Sequence, residues 1–579
     1  MKKETQRRII LILSIIGLIL CLAVLFPQVR VGIVNFMEQK LHREFMYHSA
    51  WIASLFSYAM GGICLLIFLN YCIQTDSGRR LVSSTKEGIK ESLSGIDFRI
   101  FLKPVLWMFV VYALGILTII RANYLYEDDI LRTVVGSRGW HNYSRYVPEF
   151  LSIFVHANFR MTDISPVTQL MAALILAVSS VMLVYVLCDK KITVVTLLAS
   201  IPLGLSPYFL ECLSYKYDAP YMALSLFISI FPFLFIGRKK AFVFISIISL
   251  LIMYMTYQAA SGIYLMIAIM FCFQYWNKRQ KTNKEAFSLA GISLLAFALS
   301  LIIFKLFIMK PPAEGWNVSN KMFPVNQLIP GILTNIKIYL HYLNSDLGLV
   351  WKIIIGLVVI FFLFKSIHIS TQKKLISLIV TFLVICLSFI LSYGVYYVLE
   401  QPLFEPRALF GFGVWLAILG IYIAYNYGKI AKIAALALSW SFFVFAFSYG
   451  NALADQMRYT NFRIGILLQD LGTLYPEPSE VTIQLKNSID YTPSVKLVAR
   501  SNPVIKRLIH IRLKEMTWQD MYYMDYHNFK QGANKMNEDY SRYIQDYNTL
   551  DLPVVMDTYY HTIQSDGTHV LVVLKRKLK

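Results

Sequence analysis

The sequence predicts an all-α polytopic membrane protein that ends in a small α+β domain, and three observations predict it. Of 579 residues, 57% are hydrophobic and 15% charged, where an average soluble domain is about a quarter charged. Apolar runs of membrane-spanning length recur from residue 9 to residue 448 and then stop. Lys and Arg, the source of a formal net charge of +21, cluster in alternate short linkers between those runs, as they do on the cytoplasmic side of a bilayer. That placement directs the positive charge to anionic headgroups, and nucleic acid is excluded as a partner.

The N-terminus carries Lys2, Lys3, Arg7 and Arg8 before an apolar run at 9–26. Pro27, Gln28, Val29 and Arg30 follow it in place of a small-residue cleavage site, which predicts a retained first helix that doubles as the insertion signal. A spanning helix needs about twenty mostly apolar residues, and about thirteen spans meet that criterion. They lie near 9–26, 50–73, 104–121, 166–187, 193–210, 219–236, 240–256, 258–276, 287–308, 350–366, 375–398, 408–426 and 430–448.

With the N-terminus inside, the linkers 79–103, 189–191, 237–240, 277–284, 365–374 and 429–432 are cytoplasmic and basic. The linkers 211–218, 257–258 and 399–407 hold about one basic residue or none. The outer face then receives the loop 122–165, the linker 211–218, a long loop at 309–349, the linker 399–407 and everything after 449. The domains implied are 1–103, a membrane domain at 104–448 and an extracytoplasmic domain at 449–579. In that last part, residues 481–485 and 495–498 alternate like half-buried strands. Residues 453–469 read as a helix. Residues 554–562 and 570–574 read as a hairpin closed on Ser565, Asp566 and Gly567. The seven cysteines end at Cys386, so the polar domain has no disulfide framework and no Cys-based metal site.

The candidate chemistry lies in the outer loops. Glu127, Asp128 and Asp129 follow an out-going span, and three adjacent carboxylates repel one another, which raises at least one pKa unless a cation sits nearby. A carboxylate poised in that way suits a general base acting on a sugar hydroxyl. Arg132, Arg138, Arg145 and Arg160 follow, interleaved with Trp140, Tyr143, Tyr146, Phe150 and Phe154. Charges packed this close to a bilayer surface are costly unless something there uses them, and a guanidinium fork matches phosphate oxygens. The linker 211–218 adds Glu211, Lys216 and Asp218. The linker 399–407 adds Glu405 and Arg407. His141 and His156 have no partner at metal-ligand spacing and read as structural. No Walker-type loop is present, so ATP is not the expected energy source. Nor is there a matched pair of interrupted helices of the kind transporters use. An outward-facing enzyme has no access to cytosolic nucleotide sugars, and a lipid-linked donor meets that constraint.

Glu127, Asp128, Asp129 and Arg132, then Gly139, Trp140 and Arg145, then Thr162, Asp163 and Pro166 resemble the bacterial polytopic glucosyltransferases typified by the O-antigen-modifying enzymes. The likeness continues through 211–218, Tyr257, Gln258 and Ala259, through Pro406 and Arg407, and into the tail from Gly450, so that it covers residues 104–579. The resemblance implies a GT-C-like helix bundle with its catalytic carboxylate in a large outer loop. It implies transfer of a monosaccharide, usually glucose, from an undecaprenyl-phosphate carrier to a cell-surface polysaccharide, with flippase and donor-synthase partners. The site it implies has Asp128 and Asp129, with Glu127, as catalytic carboxylates. Arg132, Arg145, Arg407 and Lys216 hold the donor phosphate, and Trp140, Asp163, Glu211, Asp218, Tyr257 and Gln258 line the substrate site. Mg or Mn would suit the paired carboxylates. The chain departs from the family pattern in two places. Residues 1–103 add two membrane helices and a linker, and Cys212 stands where an amide is expected. Two rival readings are a flippase or exporter of lipid-linked glycan and a non-catalytic scaffold of a glycan assembly complex.

Overall fold

The computed structural model describes residues 74–309, 321–426, 428–477, 481–514, 518–529 and 550–575, with Tyr547 and scattered positions between 10 and 71. Most of the two spans expected near 9–26 and 50–73 lies outside these residues. The chain divides into two compact units. The first comprises Met1–Asp97, Pro232–Leu251 and Ala296–Asn317, and the second Phe98–Phe231, Ile252–Leu295 and Val318–Lys579. In the first unit, helix Asp76–Ser94 pairs Glu91 with Arg238, and Lys240 Nζ donates to Ser84 Oγ at 2.9 Å.

Seven helices among the described residues are long and apolar enough to cross a membrane: Arg99–Ala122, Val167–Leu187, Gln258–Asn277, Asn283–Ile308, Leu349–His368, Lys374–Leu391 and Lys429–Leu474. The expected span at 193–210 is instead two short helices, Val194–Leu205 and Pro207–Ser214, bent by 61°. Pro207 has no N–H to carry the hydrogen-bond ladder across the bend. The spans expected at 219–236, 240–256 and 408–426 form the shorter helices Ala219–Phe235, Lys239–Tyr254 and Gly411–Asn426. The described residues therefore supply seven or eight spans rather than eleven of the thirteen expected. Hydropathy does not separate a helix that faces lipid from a short one enclosed by other helices. Gly411–Asn426 is of the second kind: it is apolar all round and buried continuously from Gly411 to Ala424.

In the second unit, Val167–Leu187 packs between Arg99–Gly115 and Ala219–Ile230, with Tyr112 and Ser180 hydroxyls 2.6 Å apart across the first contact. The stretch expected as a long loop at 309–349 contains helix Leu328–Asp346, whose buried residues Gly331, Asn335, Tyr339, Leu343 and Asp346 recur at helical spacing. Three of these are Gly or polar, which hides the pattern from a hydropathy scan.

Lys429–Leu474 is 46 residues long, about 69 Å at 1.5 Å per residue. It contains the helix expected at 453–469 as a direct continuation of the last span. Its second half buries Gln456, Thr460, Ile464, Leu467 and Leu471 in a stripe, of which Ile464, Leu467 and Leu471 share a core with a four-stranded sheet. The strands are β1 (Thr482–Lys486), β2 (Val554–Asp557), β3 (His561–Ser565) and β4 (His569–Leu574), in the order β1-β4-β3-β2. β1 is parallel to β4, and the other pairs are antiparallel. The β3–β4 turn passes through Gly567 at φ +98, with Asp566 Oδ1 accepting from the amides of Thr568 and His569. The 554–562 run is two strands, because Thr558 Oγ1 turns the chain by accepting from the Tyr560 and His561 amides. Residues 495–498 lie in helix Pro493–Ser501, not in a strand. Four alternating residues fit either period, and Pro493 in the first helical turn decides for the helix.

At Gly450 the long helix packs tightly against helix Leu117–Ala122. A Cβ there would stand 2.3 Å from Thr118 Oγ1 and 2.6 Å from the Ile119 amide nitrogen. Gly450→Ala should destabilise the protein by about 1–3 kcal/mol through overpacking. Gly465→Ala on the same helix, where a Cβ meets nothing within 4 Å, should hold or raise stability by up to about 1 kcal/mol. Thermal unfolding in detergent distinguishes the two.

Candidate active site

Helix Leu117–Ala122 ends on Asn123 in the left-handed region, and Glu127 takes φ +34 before helix Asp129–Val135 begins. A non-glycine residue held at positive φ is a strained turn that its surroundings must over-determine. Here they do: Leu125 and Ile130, on either side of it, insert into the hydrophobic core of the C-terminal domain beside Ile464, Leu467, Ile483 and Val572. Glu127 lies outside the helix at positive φ, Asp128 is its N-cap and Asp129 its first residue, so the three carboxylates diverge.

Glu127 turns toward the C-terminal domain. Its Oε1 lies 2.7 Å from His510 Nδ1, and Gln519 Nε2 donates to Oε2 at 3.0 Å. Burial alone would raise this carboxyl, but the hydrogen bond and charge of His510, helped by Arg512 and Arg407, outweigh it and hold the pKa at about 2. Asp129 turns inward and is fully buried. Its Oδ2 accepts from the backbone amides of Tyr126 and Lys216, each at 3.0 Å, while Oδ1 has no hydrogen-bond partner. Burial outweighs these bonds and the nearby Arg132 and pushes the carboxyl up to about 7. Asp128 alone turns outward. Its side chain is 53% exposed and stands 4.0 Å from Arg132, and its charge acts on Tyr143, Tyr215 and Arg407.

The other sequence-predicted residues gather around this turn. Arg132 is buried, ion-paired to Asp218 and stacked over Trp140 at 4.5 Å, and Trp140 Nε1 donates to the same Asp218. Lys216 Nζ bonds Asp163 at 2.8 Å and also Asn123 Oδ1. Burial would raise the Asp163 carboxyl, but Lys216 and Ser165 lower it. Arg145 donates to Gln258 Oε1 at 3.2 Å and lies 4.6 Å over the Tyr257 ring, and no carboxylate pairs with it among the described residues. Arg407 meets Glu211 Oε1 at 3.0 Å, gives its backbone amide to Oε2, and lies 5.5 Å over the Tyr215 ring. The Arg407 carbonyl accepts from Tyr257 Oη at 3.2 Å and from Cys212 Sγ at 3.8 Å. His141 contacts Glu149, and His156 binds the Thr162 carbonyl and stacks on Tyr217.

Three residues of the C-terminal domain were not anticipated: His510, Arg512 and Gln519. Tyr126 Oη donates to the Leu508 carbonyl at 2.7 Å, Tyr124 Oη to the His510 carbonyl, and Arg512 to the Leu125 carbonyl at 3.0 Å. The stretch Leu508–Arg512 is thereby strapped across the acidic turn. Its one sequence signal is His510 and Arg512 alternating with apolar Ile509, Ile511 and Leu513 in a polar tail.

Apolar helices of spanning length beside a converging set of carboxylates, guanidinium groups and aromatic rings define a membrane protein with a polar site on its loops. The sequence model of the glucosyl transferase GtrII family matches residues 117–421. That is more than half the chain, and the chain belongs to this family. It is a glycosyltransferase of the glucosyl type. It is also similar to an uncharacterized 55.3 kDa protein in the gtrB 5′ region of Salmonella phage P22, 26% identical over 436 residues that cover 71% of this chain and 86% of the phage protein. No solved structure matches.

Asp129→Ala would strand two buried amides and should cost about 2–6 kcal/mol. Asp129→Asn keeps an acceptor for both. A carboxyl whose folded pKa lies near 7 contributes stability that is fully present below its unfolded value and is lost as pH rises through 7. Melting temperatures of wild type should therefore lose a pH-dependent component between about pH 4 and 7 that the Asn variant lacks. Parallel wild-type and Asn profiles would contradict the buried acid.

Proposed function

We propose that the chain transfers glucose from a polyprenyl-phosphate carrier, undecaprenyl phosphate in a bacterium, to a cell-surface polysaccharide at the outer face of the cytoplasmic membrane. The membrane domain is then a GT-C-like bundle with its N-terminus inside and its C-terminal domain outside, in keeping with the basic linkers and with the family. The observation that carries the reading is the divergence of the acidic trio. Glu127 is held by His510 and Asp129 by two backbone amides, so Asp128 is the carboxylate left facing solvent beside Arg407 and Tyr143.

In the proposed reaction Asp128 accepts the proton of an acceptor hydroxyl as that oxygen bonds to the anomeric carbon. The bond from the anomeric carbon to the phosphate oxygen breaks, and polyprenyl phosphate leaves with the electron pair. A single displacement of this kind inverts the anomeric carbon. Arg145, which has no carboxylate partner among the described residues, and Arg407, which is paired to Glu211 through Nη1 but keeps 22% of its side chain exposed, are the guanidinium groups that can reach the leaving phosphate, whose charge grows in the transition state. Arg132 and Lys216 are committed to Asp218 and Asp163 and act as positioning residues. Trp140, Tyr257 and Gln258 shape the sugar site, and the C-terminal domain docks the acceptor glycan.

A general base contributes about 10²–10⁴-fold to rate. Asp128→Asn should therefore lower transfer at least about 100-fold in proteoliposomes supplied with polyprenyl-phosphate glucose, with expression and melting temperature unchanged. Near-normal transfer by that variant would sink the assignment. Arg145→Gln removes a charge-assisted bond of about 1.5–3 kcal/mol and should raise the donor KM or lower kcat by about 10–100-fold. Glycan composition of a deletion strain, complemented with wild type or Asp128→Asn, tests the same reading in cells: one side-branch glucose should return with wild type alone.

A further inference from the structure

Beside Glu127 lies a second group of side chains that the proposed chemistry does not use. Glu211 sits on helix Pro207–Ser214 and is fully buried. Glu405 precedes the turn Pro406–Ala408, and His510 arrives on the strap from the C-terminal domain. One carboxylate oxygen from each Glu and a ring nitrogen of His510 lie within 4.8 Å of one another. His510 Nε2 is buried without a hydrogen-bond partner, 3.8 Å from Glu211 Oε1. A buried polar atom left in this way asks for a ligand. The opposite ring nitrogen, Nδ1, is held 2.7 Å from Glu127 Oε1. A carboxylate on the far side of an imidazole fixes the ring orientation and leaves the other nitrogen free to ligate, the arrangement found behind metal-binding histidines.

We infer that Glu211, Glu405 and His510 form a binding site for one divalent transition-metal ion, of the Mn²⁺ or Zn²⁺ type, with Glu127 as the carboxylate that orients the imidazole. One imidazole with two carboxylates suits these ions better than Mg²⁺ or Ca²⁺, which favour all-oxygen sets. Ligand atoms about 2.1 Å from one ion stand about 3.0–3.5 Å apart, so the three side chains need only a small inward movement. Glu211 Oε1 already accepts from Arg407 Nη1 and keeps a second lone pair for the ion. Glu127, Glu405 and His510 line an open cavity of about 570 Å³, which supplies a route from solvent. If the proposed function holds, the ion sits beside Arg407 and adds its charge to the side of the site where the phosphate leaves. The binding itself does not rest on that reading.

The test uses the full chain in nanodiscs, stripped with chelator and titrated with Mn²⁺ at about pH 8, where proton competition for the ligands is small. Electron paramagnetic resonance reads free and bound ion without donor or acceptor present. We expect one saturable Mn²⁺ per chain, displaced by equimolar Zn²⁺ and not by equimolar Mg²⁺. Pulsed measurements on the wild type should find coupling to one imidazole nitrogen. Glu405→Gln and His510→Gln should each abolish saturable binding, and Glu127→Gln should weaken it about 10–100-fold as the loss of an orienting partner. No saturable ion in the wild type, or a bound ion without nitrogen coupling, would overturn the site whether or not any variant folds. Asp128→Asn should lose transfer and keep the ion, so the metal site and the catalytic reading fail separately.

Discussion

The site depends on one buried carboxylate. Asp129 receives the amides of Tyr126 and Lys216 on a single oxygen, which ties the loop after the first described span to the linker 211–218. With the Lys216 backbone held there, its side chain reaches Asp163 and Asn123. Asp218 two residues on meets Arg132 and Trp140. A flexible loop could not hold so many charges at fixed distances. A turn strained at Glu127, stapled at Asp129 and anchored by Leu125 and Ile130 in an apolar core can.

The ion pairs of this region define geometry more than they add stability. Removing two charges from water costs several kcal/mol per ion, and mutual attraction recovers that only when the remaining hydrogen-bond sites are filled. Glu211 meets this condition in part, through both the side chain and the backbone amide of Arg407. Asp129 meets it less, since Oδ1 is left over. Its upward pKa shift is the physical response of a carboxyl that is buried without full compensation.

The residues after the last span contribute contacts to the candidate site. The helix Lys429–Leu474 carries the chain out of the apolar bundle without a break and lays its second half against the sheet. The segment Leu508–Arg512 then returns to the acidic turn, where Tyr124 and Tyr126 bind its carbonyls and Arg512 binds a carbonyl of the turn. Substitutions in this strap should therefore be felt at Glu127 although they lie about 380 residues away in sequence.

Much was legible in the residues alone. The apolar runs predicted a mostly helical membrane protein, and the alternation near the C-terminus predicted a small sheet there, because burial in lipid and in a protein core imposes strong periodic patterns. The landmarks from Glu127 to Arg407 pointed to the glucosyltransferase family, and β1 and the β3–β4 hairpin followed from alternation and a Gly567 turn. Other features were decided by tertiary structure. Whether 194–214 or 411–426 spans a bilayer depends on what surrounds it, and hydropathy carries no such information. Which carboxylate of the trio faces solvent follows from the helix start at Asp129 and from acceptors offered by distant segments. The meeting of His510 with Glu127, Glu211 and Glu405 requires the chain to fold back over several hundred residues. Local pattern determines which faces are apolar, and only packing of the whole chain determines which polar groups meet.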